Sequence, residues 1–254
     1  MSNASGLGPP DPTTVGPADR SPDNRTPRKL AGSRRVCASL ERVRFVSRKC
    51  TACGLLFPVD DASTLGRACP HCHAPTDRIG PAYDTEPVRA RIDRRPHRRL
   101  EGLLDNVRSL TNVGSMFRCA DGVGMGHLHL CGFTPTPAHP KLKKTALGAE
   151  ASVPWSHHAD AVVAAEYQLA QGKRLWAIEG GPRSESLYDL DLPNAAPEPL
   201  VLVFGHEVSG VDPRLVDRCE RVVRIPMRGI KGSLNVSVAF GIAAYHLAYA
   251  HPSG

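Results

Sequence analysis

Two short runs constrain this chain more than any other feature: Leu-Val-Leu-Val-Phe at 200–204 and Arg-Leu-Trp-Ala-Ile at 174–178. A strand with one wet face alternates apolar and polar residues, and these runs do not, so both of their faces must be covered by other elements. That condition is met in a parallel sheet flanked by helices. From Leu100 onward the texture agrees. Strands are expected at 101–107, 127–131, 174–178, 200–204 and 221–225, alternating with helices at about 113–123, 158–171, 213–218 and 235–250. The expected fold class is therefore α/β, a mostly parallel sheet with helices on both faces, and a hydrophobic content of 41% can supply its core. No internal repeat is visible.

The 254 residues divide by composition. Residues 1–35 are rich in Pro, Gly, Ser, Asp and Arg without apolar periodicity, and read as a disordered basic tail. Residues 36–83 hold a Cys-rich module. Residues 84–99 read as a basic linker, and 100–254 as the α/β domain. Charge follows the same division. Residues 1–49 carry ten Lys/Arg against four Asp/Glu, and 86–100 carry six against two, whereas 101–254 carry fourteen against fifteen. Basic arms on a near-neutral body suggest a polyanionic partner, nucleic acid first; a tail that only aids solubility is the bland alternative. No apolar run reaches the roughly 18 residues a membrane helix requires. The first residues show no signal-peptide pattern, so no membrane association and a cytoplasmic location are expected.

Eight cysteines in such a compartment do not suggest disulfides. Cys50-x2-Cys53, fifteen intervening residues and Cys69-x2-Cys72 have the spacing of a zinc ribbon. Four thiolates close a tetrahedral shell, so the expected zinc is structural. Its binding would stabilise a segment too small to build a core easily. His71 and His73 stand nearby as secondary candidates. Cys37, Cys119, Cys131 and Cys219 have no such partners and are expected to be free and buried.

Three strand ends carry polar residues. Asn112 and Arg118 follow the first strand, across an expected Asn112-Val113-Gly114 turn. Glu207 follows Phe204-Gly205 at the end of the buried strand. Beyond Ile225 come Pro226, Met227, Gly229, Gly232, Ser233, Leu234 and Asn235, just before the last helix. Each has a plain reading: a snorkelling Arg, an exposed loop Glu, a Ser or Asn capping a helix. Together they bring Asn112, Arg118, Glu207, Ser233 and Asn235 to the carboxyl edge of a parallel sheet, where such sheets bind ligands. Gly122-x-Gly124-x-Gly126 does not have dinucleotide-site spacing and follows a helix rather than opening one. Asp212-Pro213 reads as an N-cap followed by Pro at the first helical position.

Asn-Val-Gly-Ser-Met-Phe-Arg-Cys-Ala at 112–120, Phe-Gly-His-Glu-Val-Ser-Gly at 204–210 and Ile-Pro-Met-Arg-Gly-Ile-Lys-Gly-Ser-Leu-Asn-Val-Ser-Val-Ala at 225–239 resemble, in order, the three motifs of the SpoU/TrmH branch of the SPOUT RNA methyltransferases. The resemblance covers about 100–250 and leaves the Cys-rich module and tail unexplained; 134–150 is similar to that family's loop after its second strand. It implies an S-adenosylmethionine-dependent methyltransferase acting on a ribose 2′-hydroxyl of tRNA or rRNA, a C-terminal trefoil knot holding the cofactor, and a homodimer. By motif position, Asn112, Arg118, Glu207, Ser233 and Asn235 would be catalytic. Phe204, Gly205, Ile225, Met227, Gly229 and Leu234 would hold S-adenosylmethionine. The alternative is a non-catalytic RNA-binding or ribosome-assembly factor that retains the fold. A guanidinium stays protonated in proteins, so Arg118 is expected to clamp phosphate rather than accept a proton, and Glu207 to orient backbone.

Overall fold

The computed structural model describes residues 44–84, 98–192 and 199–250. The expected tail, Cys37 and all but the ends of the expected linker lie outside the described residues. Packing separates two units, Met1–Arg91 and Ile92–Gly254.

In the first unit, β1 (Arg44–Cys50), β2 (Leu56–Asp60) and β3 (Thr76–Asp84) form an antiparallel sheet in the order β2-β1-β3. The two Cys pairs sit on turns beside it. Gly54 and His73, the residues that follow these turns, adopt left-handed backbone at φ 74° and 59°.

The second unit is a seven-stranded sheet in the order β6-β5-β4-β9-β7-β10-β8. Its strands are β4 (Leu100–Asp105), β5 (His127–Cys131), β6 (Trp155–His158), β7 (Arg174–Ile178), β8 (Glu185–Ser186), β9 (Leu200–Phe204) and β10 (Arg221–Arg224). Every pairing within it is parallel. All five residues of β9 are buried, as its lack of alternation requires. Two apolar clusters cover the sheet. One joins Leu104, Leu202 and Phe204 to α1 (Leu110–Val123), α2 (Pro140–Ala146) and α5 (Val236–Tyr249). The other joins Leu103, Val201 and Val203 to α3 (Ala161–Ala170) and α4 (Pro213–Val216). The Phe204 and Phe240 rings meet at 4.9 Å, a contact worth about 0.5–1.5 kcal/mol beyond area burial. It fixes the start of α5 against the end of β9.

The structure corrects several expectations. Strand β4 ends at Asp105, not at 107, because Asn106 turns into left-handed backbone at φ 54°. Asn112-Val113-Gly114 is not a turn: α1 begins at Leu110, with the Ser109 hydroxyl accepting the Asn112 N–H. Gly114 serves packing instead, since a Cβ there would collide with the Thr145 side chain of α2. The stretch 134–150 contains α2 rather than loop alone. Residues 155–158 form β6, so the helix expected from 158 starts only at Ala161, capped by Asp160. Gly124 is the C-cap of α1, consistent with rejecting a dinucleotide site, and Asp212 caps α4 as expected.

A polar network lies where β4, β5 and β6 adjoin. Glu101 Oε2 accepts from His129 Nε2 at 3.0 Å and from Lys173 Nζ at 2.6 Å. The Ser156 hydroxyl lies 2.9 Å from His127 Nε2, 3.3 Å from His129 Nδ1 and 2.8 Å from His158 Nε2. Burial, then the neighbouring His129 charge, lowers the His127 pKa from 6.5 to about 4; burial also lowers His158. Burial raises Glu101, but the His129 and Lys173 hydrogen bonds outweigh it and hold the carboxyl at about 2. A histidine with a depressed folded pKa stabilises the fold fully above its ordinary pKa, and that contribution is lost as pH falls towards the folded value. The melting temperature is therefore expected to fall between pH 6.5 and 4. Thermal melts of His127→Gln across that range should show a shallower decline than wild type; an equal slope contradicts the assignment.

Candidate active site

Strands β9, β7 and β10 are neighbours, and the loops leaving their carboxyl ends enclose a cavity of about 650 Å³. Ile178 to Gly181 contribute from the end of β7. Phe204, Gly205, His206, Glu207, Val208 and Gly210 contribute from β9. Arg224, Ile225, Met227 and Gly232 to Val236 come from β10 and the entry to α5, with Ala239 behind them.

The loop after β9 is folded tightly on itself. His206 and Gly210 exchange both backbone hydrogen bonds, at 3.0 and 2.9 Å. A Cβ on Gly205 would overlap the Gly210 carbonyl, so glycine is required there, and Gly210 itself has φ 74°. Glu179 braces the loop from β7: its carboxylate accepts the Val211 N–H at 3.0 Å and the Gly180 N–H at 2.9 Å. His206 Nδ1 accepts the Val208 and Ser209 amides at 3.1 and 3.3 Å.

This loop delivers Glu207 to the start of α1. Glu207 Oε2 accepts the Arg108 N–H at 3.0 Å; Oε1 accepts the Ser109 N–H at 2.9 Å and Asn112 Nδ2 at 3.0 Å. Asn112 Oδ1 in turn accepts from Asn235 Nδ2 at 3.1 Å. Asn235 Oδ1 accepts the Ser237 N–H and hydroxyl, at 2.9 and 2.7 Å, and so caps α5. One chain of hydrogen bonds thus links all three motifs. Burial pushes the Glu207 carboxyl up, but the amides of Arg108, Glu207 itself and Ser109, with the Asn112 side chain, outweigh it and bring it down to about 2. Hydrogen-bond donors on an ionised carboxylate have this effect generally.

Of the residues anticipated from sequence, Phe204, Gly205, Glu207, Ile225, Met227, Ser233, Leu234 and Asn235 line the cavity. Asn112 is buried behind that wall, reached through Asn235 and Glu207. Two others stand apart. Gly229 is exposed and off the cavity wall, and a Cβ there would meet nothing within 4 Å. Arg118 is exposed in the third turn of α1, with no hydrogen-bond or ion-pair partner among the described residues. Glu179 and Arg224 line the cavity but were not anticipated. The signal for Glu179 was present, a Glu-Gly-Gly step directly after the buried run of β7.

In the first unit, the sulfurs of Cys50, Cys53, Cys69 and Cys72 all lie within 4.8 Å of one another. The Cys50–Cys72 and Cys53–Cys69 pairs are 3.4 and 3.7 Å apart. A tetrahedral zinc with bonds of about 2.3 Å sets sulfur–sulfur edges of about 3.8 Å, so the residues fit the ion. The Cys53 and Ala52 amides point at Cys50 Sγ, both at 3.4 Å, and the Cys53 amide is the largest cause lowering that thiol to about 6. Among the unpaired cysteines, Cys131 is buried while Cys119 and Cys219 are half-buried; burial pushes Cys131 and Cys219 up to about 12.

A parallel sheet whose carboxyl edge holds a preformed cavity and a motif-linking carboxylate defines an α/β protein with a small-molecule-sized site at that edge. The SpoU rRNA Methylase family model matches residues 101–245, so the chain belongs to that family. The 23S rRNA (guanosine-2′-O-)-methyltransferase RlmB of Pectobacterium atrosepticum is 31% identical over 144 residues, 56% of this chain and 57% of that protein. The AdoMet-bound rRNA methyltransferase of Sinorhizobium meliloti is 27% identical with TM-score 0.54, covering 59% of this chain and 55% of that one. The TrmH/SpoU tRNA modifying enzyme of A. aeolicus is 28% identical with TM-score 0.53, covering 60% and 76%. The chain spans little more than half the length of the RlmB relative. No helix among the described residues is long and apolar enough to cross a membrane.

The sulfur geometry generates a direct test. The purified protein is expected to carry one zinc per chain, and Cys53→Ser or Cys69→Ser to lose it. Elemental analysis checks the stoichiometry; a full chain that holds no zinc after expression in zinc-replete medium contradicts it.

Proposed function

We propose that this chain transfers a methyl group from S-adenosylmethionine to a ribose 2′-hydroxyl of structured RNA, ribosomal or transfer. The observation that carries this reading is the hydrogen-bond chain Glu207–Asn112–Asn235, which ties the three family motifs together beside the 650 Å³ cavity. That volume suits a nucleoside-sized cofactor. The wall supplies backbone groups at Phe204, Gly205, Ile225, Met227 and Leu234 for an adenosine, with Glu179, Arg224 and Ser233 as polar anchors. When bound, S-adenosylmethionine supplies an electrophilic methyl group on a sulfonium sulfur.

The chain's own residues then position the RNA and manage one proton. A ribose hydroxyl is a weak nucleophile, and the transfer gains from proton removal as the bond forms. Glu207 is a poor acceptor: its oxygens already serve three donors, and its carboxyl is held at about 2. Its task in this reading is positional. It holds the start of α1 in place and, through Asn112, the cap of α5. Arg118 is exposed, so it is free to grip a phosphate beside the target ribose through two of its guanidinium nitrogens and to stabilise the developing oxyanion. The proton passes to a phosphate oxygen or water.

Further parts of the reading rest on fewer observations. The four-cysteine module carries structural zinc. The basic segments 1–49 and 86–100 contribute phosphate contacts. A homodimer is supported by apolar residues exposed on α5, where Val238 and Tyr245 remain 49% and 46% exposed. The cofactor segment is knotted, as in the family, and the protein works in the cytoplasm.

The test is tritiated-methyl transfer to unmodified rRNA and tRNA transcripts, alongside calorimetric titration of S-adenosylmethionine. Binding with 2′-O-methyl product is expected; a chain that binds no cofactor is instead an RNA-binding or assembly factor. Arg118→Lys should lower kcat by about tenfold or more, about 1.4 kcal/mol of barrier, with cofactor affinity unchanged, because Arg118 is off the cavity wall. Near-normal turnover in the Lys variant rules out the bidentate clamp.

A further inference from the structure

The cofactor cavity occupies the carboxyl ends of β9, β7 and β10, but the same edge continues in the other direction over β9, β4 and β5. Three side chains stand on the loops there. Phe133 follows β5, Arg108 follows β4 and His206 follows β9. Phe133 is 59% exposed, a large apolar ring that the core does not use. It meets the His206 ring edge-on, with centroids 6.0 Å apart and planes at 85°.

A single exposed aromatic is ordinary on a protein surface. This one is held in place from both sides. Its own N–H donates to Asn106 Oδ1 at 3.2 Å. The next residue, Thr134, is buried; its hydroxyl accepts the Val107 N–H at 3.0 Å and donates to the Leu104 carbonyl at 3.1 Å. The His206 ring is oriented by the Val208 and Ser209 amides. Arg108 is fixed through its backbone N–H on Glu207, while its exposed guanidinium has no partner among the described residues. Two rings and a cation are therefore presented on anchored backbone, and His206 belongs to both this surface and the cavity wall.

Resting on the methyltransferase reading, we infer that Phe133, with the His206 ring edge-on to it, forms a stacking platform for an unpaired nucleobase of the RNA substrate, next to the nucleotide that receives the methyl group, with Arg108 on the neighbouring β4 loop as the cation. Sequence-tolerant recognition of single-stranded bases combines aromatic faces with cations in this way. The cofactor's adenine is the wrong occupant, because Phe133 does not line the cavity. The platform orients the RNA and takes no part in the chemical step.

The experiment is steady-state methyl transfer to unmodified 23S rRNA and tRNA transcripts by the full chain and three variants. Phe133→Ala should raise the KM for RNA by about 5- to 150-fold, the range that losing one base stack implies, with cofactor affinity and melting temperature near wild type. Phe133→Trp should restore the KM, and Phe133→Leu, apolar but without a π-face, should not. An unchanged KM in Phe133→Ala, or rescue by Leu as complete as by Trp, overturns the platform while leaving the methyltransferase reading intact. If wild type transfers no methyl group to either RNA, that reading fails and the platform falls with it.

Discussion

Everything at the candidate site depends on one carboxylate. Glu207 sits on a loop after the buried strand β9, and its two oxygens satisfy the Arg108 and Ser109 amides and the Asn112 side chain. The amides precede α1, where N–H groups lack intrahelical partners and helix polarity favours negative charge. Removing such an acceptor leaves partly buried donors unsatisfied, at about 1–3 kcal/mol each. Asn112 passes the constraint to Asn235 and so to the first turn of α5. Three segments far apart in sequence are thereby linked by a short polar chain, which adds to the apolar packing of α1 and α5 on β9.

The rest of the fold holds that carboxylate in place. Gly205 and Gly210 let the β9 loop close on itself, and Glu179 braces it from the neighbouring strand. The Phe204–Phe240 contact sets α5 against β9, so the cap of α5 arrives beside Asn112. The loops beyond β10 remain open by comparison: Ile230 is fully exposed, and Gly229 touches nothing that would demand a glycine. The β7 and β9 side of the cavity is closed by these hydrogen bonds, whereas residues 227–232 are exposed and bring only Met227 and Gly232 to the wall.

Much of this was legible in the sequence because it depends on local pattern. Runs without alternation identified β7 and β9 as covered strands, Asp212-Pro213 identified the start of α4, and the Cys spacing identified the sulfur cluster. What was missed depends on distant partners or on competing local signals. Asn112 and Gly114 resembled a turn because both are poor helix formers; only the contact with Thr145 of α2 explains the glycine. The helix α2 was hidden in a Pro-rich stretch, although His139 and Pro140 are its cap and first position. The partners of Glu207 lie nearly a hundred residues away, so its lowered pKa could not be read from its neighbours. Glu179 was overlooked for a simpler reason: it follows a strand end whose loop matches no motif.

In the proposed mechanism Glu207 acts by position and not as the base. The most direct measurement is the pH dependence of kcat/KM for wild type and Glu207→Gln, with melting temperature and S-adenosylmethionine affinity recorded on the same samples. A positional carboxylate held near 2 predicts a lower rate with an unchanged pH profile, together with a lower melting temperature or weaker cofactor binding. A wild-type ascending limb that disappears in Glu207→Gln while stability and cofactor affinity stay at wild-type values would contradict it.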